Sequence, residues 1–336
     1  MSRKWIALCL AVLLLAGCTG KKQESHQAVY LDVFDTVTTI TAVGMDASAF
    51  QQEAEKIHRI LLHYHQLFDI YQEYPGMNNL KTVNDRAGVA PVQVDAEVIA
   101  LLQDCRSYYA LTEHRVNVAM GSVLELWHGA RTAALEDPEN ASLPEREQLL
   151  EASEHTGWDT VTIDEDNATV YLTDPLQSLD VGAVAKGWAA GKAAAQAPSG
   201  FLISVGGNIC ATGPKGDAPW VVGIADPDGN EAYLHTLYDS DRAIVTSGDY
   251  QRFFTLDGVR YHHIIDPQTL YPGKNFRSVT VICPDSGLAD ALSTALFLLP
   301  LEQGQALAEK TGVEAMWLDA QGNASYTPGF AAYICQ

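Results

Sequence analysis

The chain has 336 residues, which suits one large domain or two closely joined ones. Hydrophobic residues make up 47% of it, ample for a core, and the formal net charge of −21 argues against nucleic acid as a partner. A small ligand remains compatible with this charge, because a local cation or metal ion reverses the potential at one site.

The N-terminus has the pattern of an export signal. Arg3 and Lys4 precede an apolar run over 5–16, and the sequence Leu-Ala-Gly-Cys ending at Cys18 resembles a bacterial lipobox. An N-terminal anchor with a chance cysteine is the alternative, but the run is short for a membrane span. We therefore predict a signal peptide over 1–17, a tether over 18–27, and one domain, of one or two lobes, over 28–336. Lipidation of Cys18 would hold the protein on the extracytoplasmic face of the bacterial membrane.

Four further cysteines form no CxxC pair, so neither a zinc knuckle nor a redox dithiol is indicated: Cys105, Cys210, Cys283 and Cys335. Buried thiols are the favoured interpretation, since Cys105 and Cys283 lie in apolar periodic runs. Disulfides remain open outside the cytoplasm.

The first elements of the domain are a strand and a long helix. Residues 29–43 alternate β-branched and polar side chains and are interrupted at Phe34-Asp35-Thr36. Asp46 then caps a helix whose apolar residues recur at steps of three and four as far as Tyr71, and Pro75-Gly76 ends it.

Three histidines lie on this helix. His58 and His65 are seven residues apart and could share a face, but no carboxylate completes a ligand set. We interpret all three as surface or packing histidines.

The remaining segments alternate helices and hairpins without regular βαβ units. This favours an α+β fold, with a mixed, largely antiparallel sheet and flanking helices, over a doubly wound parallel sheet. The predicted elements are a helix capped by Asp95, a turn and short helix over 112–128, a helix over 144–157, a hairpin from 160–163 and 169–172, an alanine-rich helix to Ala197, strands over 201–205, 220–225, 277–283 and 313–318, a helix over 287–299, and a C-terminal region over 324–334.

A hairpin over 250–265 is the most informative of these segments. Asp257-Gly258 separates two β-rich runs, which is a strong hairpin signal. Because side chains alternate along a strand, His262 and His263 must point to opposite sides, and only one can face a given site. The preceding Thr246-Ser247-Gly248-Asp249 adds hydroxyls and a carboxylate, so the hairpin predicts one wall of a ligand pocket.

Asp290 and Thr294 lie one turn apart near the start of a predicted helix. A carboxylate and a hydroxyl on one face form a candidate site for a hard cation such as Mg²⁺. Spacing alone favours the simpler interpretation, a solvated Asp and a Thr bonded back to its own helix.

Two glycine-containing turns could approach a ligand. Leu-Asp-Val-Gly-Ala-Val-Ala-Lys-Gly, over 179–187, enters a helix; its amides and Lys186 could face an anion, and Asp180 a ribose or base. A solvated lysine at an ordinary helix start explains this stretch equally well. Gly206-Gly207-Asn208 permits close backbone approach. Core packing is the default for Trp127, Trp188 and Trp220.

Taken together, these segments resemble the ApbE family of flavin transferases, which move FMN from FAD onto a Thr or Ser of a target protein. The resemblance runs in order through nearly the whole mature chain. It rests on QLFDIYQ with Asn84, VNVAMGSVLELW, LDVGAVAKGWAAGKA, SVGGN, PWVVGIADP, VTSGDY, YHHIIDP, and SVTVICP with ADALSTALF.

The resemblance implies an FAD cleft between the sheet and the helical parts, and a role for each candidate residue. Mg²⁺ would be held by the backbone oxygen of Ala183 and by Asp290 and Thr294, with Ser293 a weaker candidate. Lys186 would neutralise the pyrophosphate, Asp180 would engage the adenosine end, and His263 would lie beside the reacting phosphate. The remaining pocket residues would be Phe34, Tyr71, Arg115, Val116, Asn117 and Ile264.

Three departures from the family's pattern concern the fine geometry of the pocket. Phe34-Asp35-Thr36 stands where the family has Met-Gly-Thr, and Asn117 replaces an Asp. Met120 and Ser122 lie in a turn that reads Val-Gly-Pro in the family.

The resemblance implies Mg²⁺-dependent transfer of FMN from FAD to a hydroxyl, with release of AMP and with His263 as general base. The acceptor would be an extracytoplasmic flavoprotein subunit of a membrane electron-transfer complex. An Mg²⁺-dependent FAD pyrophosphatase would use the same residues with water as acceptor. A non-catalytic flavin- or solute-binding lipoprotein would need no metal, and a structural envelope lipoprotein would need no small ligand.

Overall fold

The computed structural model describes residues 24–229 and 231–335. The strands are β1 (Ser25–Val33), β2 (Thr36–Val43), β3 (Val92–Gln93), β4 (Val161–Asp164), β5 (Thr169–Leu172), β6 (Phe201–Val205), β7 (Asn208–Ala211), β8 (Trp220–Ala225), β9 (Tyr233–Asp239), β10 (Ala243–Gly248), β11 (Phe253–Leu256), β12 (Val259–His262), β13 (Phe276–Cys283), β14 (Glu314–Asp319) and β15 (Ala324–Tyr326). The helices are α1 (Ala47–Phe68), α2 (Leu80–Asp85), α3 (Ala96–Leu111), α4 (Gly121–Glu136), α5 (Arg146–Ser153), α6 (Ala185–Ala194), α7 (Ser286–Leu298) and α8 (Leu301–Thr311). The predicted signal peptide and Cys18 lie outside the described residues.

An antiparallel sheet forms the centre of the fold. Its strand order is β1-β2-β6-β7-β10-β13-β14-β15, and each neighbouring pair runs antiparallel. The predicted α+β architecture with a largely antiparallel sheet is therefore confirmed.

The two faces of the sheet pack against different partners, as strand alternation requires. Val245 and Val281 face the large core that the sheet forms with α1, α6, α7 and α8. Ile244 and Ile282 point the other way, into a smaller core completed by the β8–β9 hairpin. The central strands are thus covered on both faces.

A third core joins α4 to the β11–β12 hairpin. Val123 and Trp127 of α4 pack with Phe254 of the hairpin and Leu270 beyond it. The indole N–H of Trp127 donates to the Leu270 carbonyl at 2.9 Å. In the described part of the chain β11 and β12 pair only with each other, so this hairpin is held by α4 rather than by the main sheet.

Several predicted boundaries are corrected. Ser25 to Gln27 pair with β2, so the first strand begins within the predicted tether. The predicted strand over 29–43 is two strands joined at Phe34-Asp35. Helix α1 begins at its Asp46 cap as predicted but ends at Phe68 rather than Tyr71. It ends there because the Asp69 carboxylate accepts from the backbone N–H groups of Tyr71 and Gln72, at 2.7 and 3.1 Å. The predicted short helix ending at His128 extends to Glu136.

Packing explains two of the three helix histidines, as predicted. His58 stacks on Tyr30 and lies 2.9 Å from the carboxylate of Asp32, and His65 accepts from the Phe34 backbone N–H. His63, on the other hand, lies near Asp95 and Glu97 at the start of α3.

The cysteines of the described residues are free thiols. Cys105, Cys210 and Cys283 are buried, as predicted. Cys210 and Cys283 both pair with Ala243 from opposite sides, so two strand spacings, roughly 9–10 Å, separate them. A disulfide needs a Cα separation of about 4.4–6.8 Å.

No helix within residues 24–229 and 231–335 is both long enough and apolar enough to cross a membrane.

Candidate active site

A cavity of about 350 Å³ lies between the large core and the α4–hairpin core. This is the cleft between sheet and helical parts that the sequence predicts. Twelve of the thirteen predicted pocket residues line it: Phe34, Tyr71, Arg115, Val116, Asn117, Asp180, Ala183, Lys186, His263, Ile264, Asp290 and Thr294. Residues from position 34 to position 294 thus meet in one place.

Asp290 on α7 forms the floor of the cavity. Its carboxylate is buried, accepts from the Gly187 backbone N–H at 2.8 Å and lies 4.0 Å from Nζ of Lys186. The Asn208 amide is oriented so that its nitrogen donates to the two carboxylate oxygens at 3.1 and 3.3 Å. Burial raises the pKa of Asp290, while Lys186 and the Gly187 N–H oppose that rise. A further cation beside this carboxylate would stabilise its charged form.

Residues with oxygen donors line the cavity together with Asp290. Thr294 Oγ1 lies one helical turn away, Ala183 lines the same cavity, and Thr246 and Ser247 of β10 line it too. Carboxylate, carbonyl and hydroxyl oxygens are the donors that Mg²⁺ prefers, so these residues fit a hard cation.

Ser293 is the one candidate ligand that does not line the cavity, and it is fully buried. Its hydroxyl donates to the Asp290 carbonyl at 2.9 Å and lies 2.8 Å from Oγ of Ser247. Adjacent residues of a helix point about 100° apart, so Ser293 and Thr294 cannot both face the cavity directly.

The loop before α6 holds Asp180 and Lys186. Asp180 accepts from the Gly182 N–H at 2.8 Å through Oδ1, which tightens the turn into the helix. Lys186 Nζ donates to the Gly182 carbonyl at 3.1 Å and extends along the cavity wall towards Asp290. The predicted glycine turn therefore does bring a cation to the cavity.

His263 faces the cavity at the end of β12. Its backbone N–H donates to the Arg252 carbonyl at 3.0 Å, and its buried Nδ1 has no hydrogen-bond partner among the described residues. Burial and the charges of Lys186 and Arg252 lower the pKa of His263 to about 3. The ring is thus a neutral imidazole at neutral pH, with a nitrogen free to accept a proton.

His262 points away from the cavity, as predicted, but into the protein interior rather than to solvent. Its Nε2 lies 2.7 Å from the Gly273 carbonyl, and the ring packs edge-on against Phe297. Burial lowers its pKa. The face opposite the cavity is covered because the hairpin end folds onto α7.

Tyr71, His128 and Asp180 form a chain across one wall. Burial and then the Asp180 charge raise the pKa of Tyr71 to about 12, and burial lowers the pKa of His128. The neutral phenol oxygen lies 3.0 Å from Nδ1 of His128, within hydrogen-bond distance, and His128 Nε2 lies 3.8 Å from Asp180. His128 was not predicted. Met120, Leu124, His128 and Arg131 line the cavity at helical spacing, and that spacing is the signal that identifies them.

The predicted Arg115-Val116-Asn117 turn is held by its own side chains. Arg115 pairs with Asp266 at 3.0 Å, which ties the turn to the end of the hairpin. Asn117 donates to the Thr156 carbonyl and accepts from the Ala119 N–H, both at 3.0 Å. Both ends of the Asn117 amide are therefore engaged within the protein.

The turn between β1 and β2 borders the cavity opposite α4. Phe34 and Asp35 have φ values of 54° and 50°, so two non-glycine residues adopt the left-handed conformation. The neighbouring Gly206, at φ 56°, lies so close to Thr36 that an added Cβ would be 2.4 Å from its hydroxyl. The β1–β2 turn and the β6–β7 turn therefore pack against each other beside the cavity.

Comparison with known proteins identifies the family to which this chain belongs. Residues 34–317 match the ApbE family. The chain belongs to the ApbE family. It is 38% identical over 263 residues to the FAD:protein FMN transferase of Treponema pallidum, covering 71% of this chain and 70% of that protein. It is 28% identical to the FAD:protein FMN transferase of Escherichia coli K12 over 98% and 97% of the two chains.

A solved ApbE structure has the same fold. The ApbE protein of Thermotoga maritima superposes with a TM-score of 0.82 at 29% identity, covering 93% of this chain and all of that one. The resemblance to ApbE proteins inferred from motifs is therefore confirmed.

Proposed function

We propose that this protein transfers FMN from FAD to a Thr or Ser hydroxyl of an acceptor protein and releases AMP. Family membership supports the reaction class. The observation that carries the proposal is that His263, with a free ring nitrogen, faces the same cavity as Lys186, Asp290 and Thr294. A carrier of flavin or another solute would have no need of this combination.

His263 would act as general base. Its neutral ring accepts the proton of the acceptor hydroxyl as that oxygen bonds to the FMN phosphorus. The P–O–P bond breaks and AMP leaves as the anion. Lys186 lies where it can balance the charge of the diphosphate.

Mg²⁺ would be held by Asp290, Thr294 and the Ala183 carbonyl, and it would supply positive charge that offsets the charge of the diphosphate. Gly187 and Asn208 hold the Asp290 carboxylate in place for this purpose.

We place the reaction outside the cytoplasm, with the protein anchored through a lipid on Cys18. The acceptor would then be an extracytoplasmic flavoprotein subunit of a membrane electron-transfer complex. The export signal and the lipobox resemblance support this placement.

The decisive experiment follows covalent flavin on a candidate acceptor by mass spectrometry after incubation with FAD and Mg²⁺. We expect a mass increase of one FMN and an equal amount of AMP. His263→Ala should lower the rate at least about 100-fold while FAD binding is retained. His235→Ala, on β9 away from the cavity, is the matched control. Transfer by His263→Ala at the wild-type rate would reject the general base.

Two further measurements separate the remaining possibilities. AMP released from FAD and Mg²⁺ without any acceptor would identify a pyrophosphatase instead. Chelation should abolish transfer, and added Mg²⁺ should restore it in the wild type but not in Asp290→Ala. Undiminished activity of Asp290→Ala in excess chelator would reject the metal site.

A further inference from the structure

Two arginines share the cavity with Lys186. Arg131 comes from α4, one turn beyond His128, and Arg252 comes from the segment just before β11. Both lie close enough to His263 that their charges oppose protonation of its ring and lower its pKa. Three cations therefore surround one neutral histidine.

Neither arginine has a carboxylate partner within ion-pair distance in the described part of the chain. Nη2 of Arg252 donates to the carbonyls of Phe34 and Asp35, at 3.1 and 3.3 Å. Arg131 makes no hydrogen bond or ion pair with the residues that the structure describes. Three other arginines are ion-paired: Arg115 with Asp266, Arg260 with Asp249, and Arg277 with Asp228 and Asp249. Arg131 and Arg252 differ from the remaining unpaired arginines in that both line the cavity.

The two guanidinium groups also act on each other. Burial lowers the pKa of Arg131, and the charge of Arg252 lowers it further. Like charges held together in a half-buried site raise the free energy of the ligand-free protein. An anion bound to both would remove this repulsion.

We propose that Arg131 and Arg252 form an anion site that binds the diphosphate of FAD. This rests on the proposed function, and it adds two residues to the single cation, Lys186, expected to face the phosphates. Lys186 already donates to the Gly182 carbonyl and lies 4.0 Å from Asp290, so part of its charge is balanced within the protein. A guanidinium group matches phosphate oxygens in a two-pronged geometry that an ammonium group lacks.

The test compares ligands with and without phosphate. Dissociation constants for FAD, ADP and riboflavin would be measured by fluorescence or calorimetry for the wild type, Arg131→Gln, Arg252→Gln and Arg131→Lys. Arg146→Gln, an exposed arginine on α5 that does not line the cavity, is the matched control. Thermal unfolding would establish that each variant is folded. Arg252 is exposed, so Arg252→Gln carries the test if Arg131→Gln does not fold.

We expect both glutamine variants to bind FAD and ADP about tenfold more weakly, or weaker still, because each loses a hydrogen bond between charged groups. Riboflavin affinity should not change, and Arg131→Lys should fall between Arg131→Gln and the wild type. The proposal would be overturned if the Arg131→Gln and Arg252→Gln variants lost affinity for FAD and riboflavin equally. It would also be overturned if they bound FAD as tightly as Arg146→Gln does. A rise in KM for the acceptor protein with unchanged FAD binding would also overturn it, since the arginines would then serve the acceptor. ADP binding that depends on both arginines, in a protein that transfers no FMN, would support the anion site and reject the proposed function.

Discussion

At the scale of single residues, burial sets the charge of each catalytic candidate. It pushes His263 towards its neutral form and Asp290 towards its protonated form, and in both cases the charged form lacks water. The consequences differ. His263 is neutral but a weak base in the ligand-free protein, because burial and the nearby cations oppose its protonation, and an anion bound beside those cations would make it a stronger base. For Asp290, a cation next to the carboxylate would stabilise its charged form.

This makes a prediction for His263 in the ligand-free protein. The unfolded chain binds a proton at this residue with a pKa near 6.5, and the folded chain near 3. The unfolded state therefore holds more protons between these values, so His263 lowers the free energy of unfolding as the pH falls from about 6.5.

NMR of ring-labelled histidine would measure this directly, with His263→Gln used to assign the signal. We expect the His263 ring to stay neutral from pH 8 to pH 5. A titration midpoint near 6.5 would show that the ring is solvated and that Lys186 and Arg252 do not face it.

Most of the candidate site residues came from the sequence motifs that resemble the ApbE family, because each short motif keeps its spacing when the chain folds. Asp290 and Thr294 are one helical turn apart whatever surrounds them. Ser293, Arg131 and Arg252 are harder, since only packing decides which face of a helix, or which end of a loop, meets the cavity. The orientation of His262 likewise depends on α7, which lies far along the chain.

At the scale of elements, the contact between α6 and α7 fixes the cavity floor. An added Cβ on Gly187 would lie 2.4 Å from the Ser286 carbonyl and 2.5 Å from Cβ of Asp290. On Gly191, one turn further along, the nearest atom would be the Ser286 side chain at 3.3 Å. The two glycines therefore differ in how closely α7 approaches them.

Gly187→Ala should destabilise the protein by about 1–3 kcal/mol through overpacking, although alanine favours helix. At the proposed metal site it should also raise the Mg²⁺ concentration that gives half-maximal activity, because Asp290 must move. Gly191→Ala should change stability by less than about 1 kcal/mol, since the gain in helix propensity offsets a mild contact.

Urea unfolding would measure the stability of both variants. A Mg²⁺ titration of activity would give the concentration needed for the half-maximal rate. Equal stability of the two variants would mean that α7 approaches Gly187 no more closely than it approaches Gly191.

Element boundaries were predicted best where a side chain caps an end. Asp46 and Asp95 begin α1 and α3 as expected, since each accepts from a backbone N–H of the first turn. The Phe34-Asp35 turn was not recognised as a hairpin, because it lacks the glycine that normally allows positive φ. The pairing of β1 with β2 and of β2 with β6 holds it there, together with the hydrogen bonds to His65 and Arg252.

At the scale of the whole molecule, the thiols are separated by the architecture. Cys210 and Cys283 lie on strands either side of β10, and Cys105 lies on α3 in the large core. Burial raises the pKa of each of these three thiols. The fold therefore keeps them reduced and unreactive even in an oxidising compartment.

Alkylation with isotope-coded reagents before and after denaturation would give the reactivity of each cysteine by mass spectrometry. We expect Cys105, Cys210 and Cys283 to react only after denaturation, and Cys335, which is partly exposed, to react earlier. Reductant should leave the melting temperature unchanged. A peptide linked through any two of the three buried cysteines would contradict this arrangement.

The spread of the site along the chain couples ligand binding to folding. Because Phe34 and Thr294 meet only after β2 has paired with β6, the cavity does not exist in a partly folded chain. Such distant pairings form slowly. A ligand that binds only the finished fold stabilises it by mass action, about 2.7 kcal/mol at a hundred times its dissociation constant. FAD present while the chain folds would therefore favour completed molecules, and bound FAD would report that folding is complete.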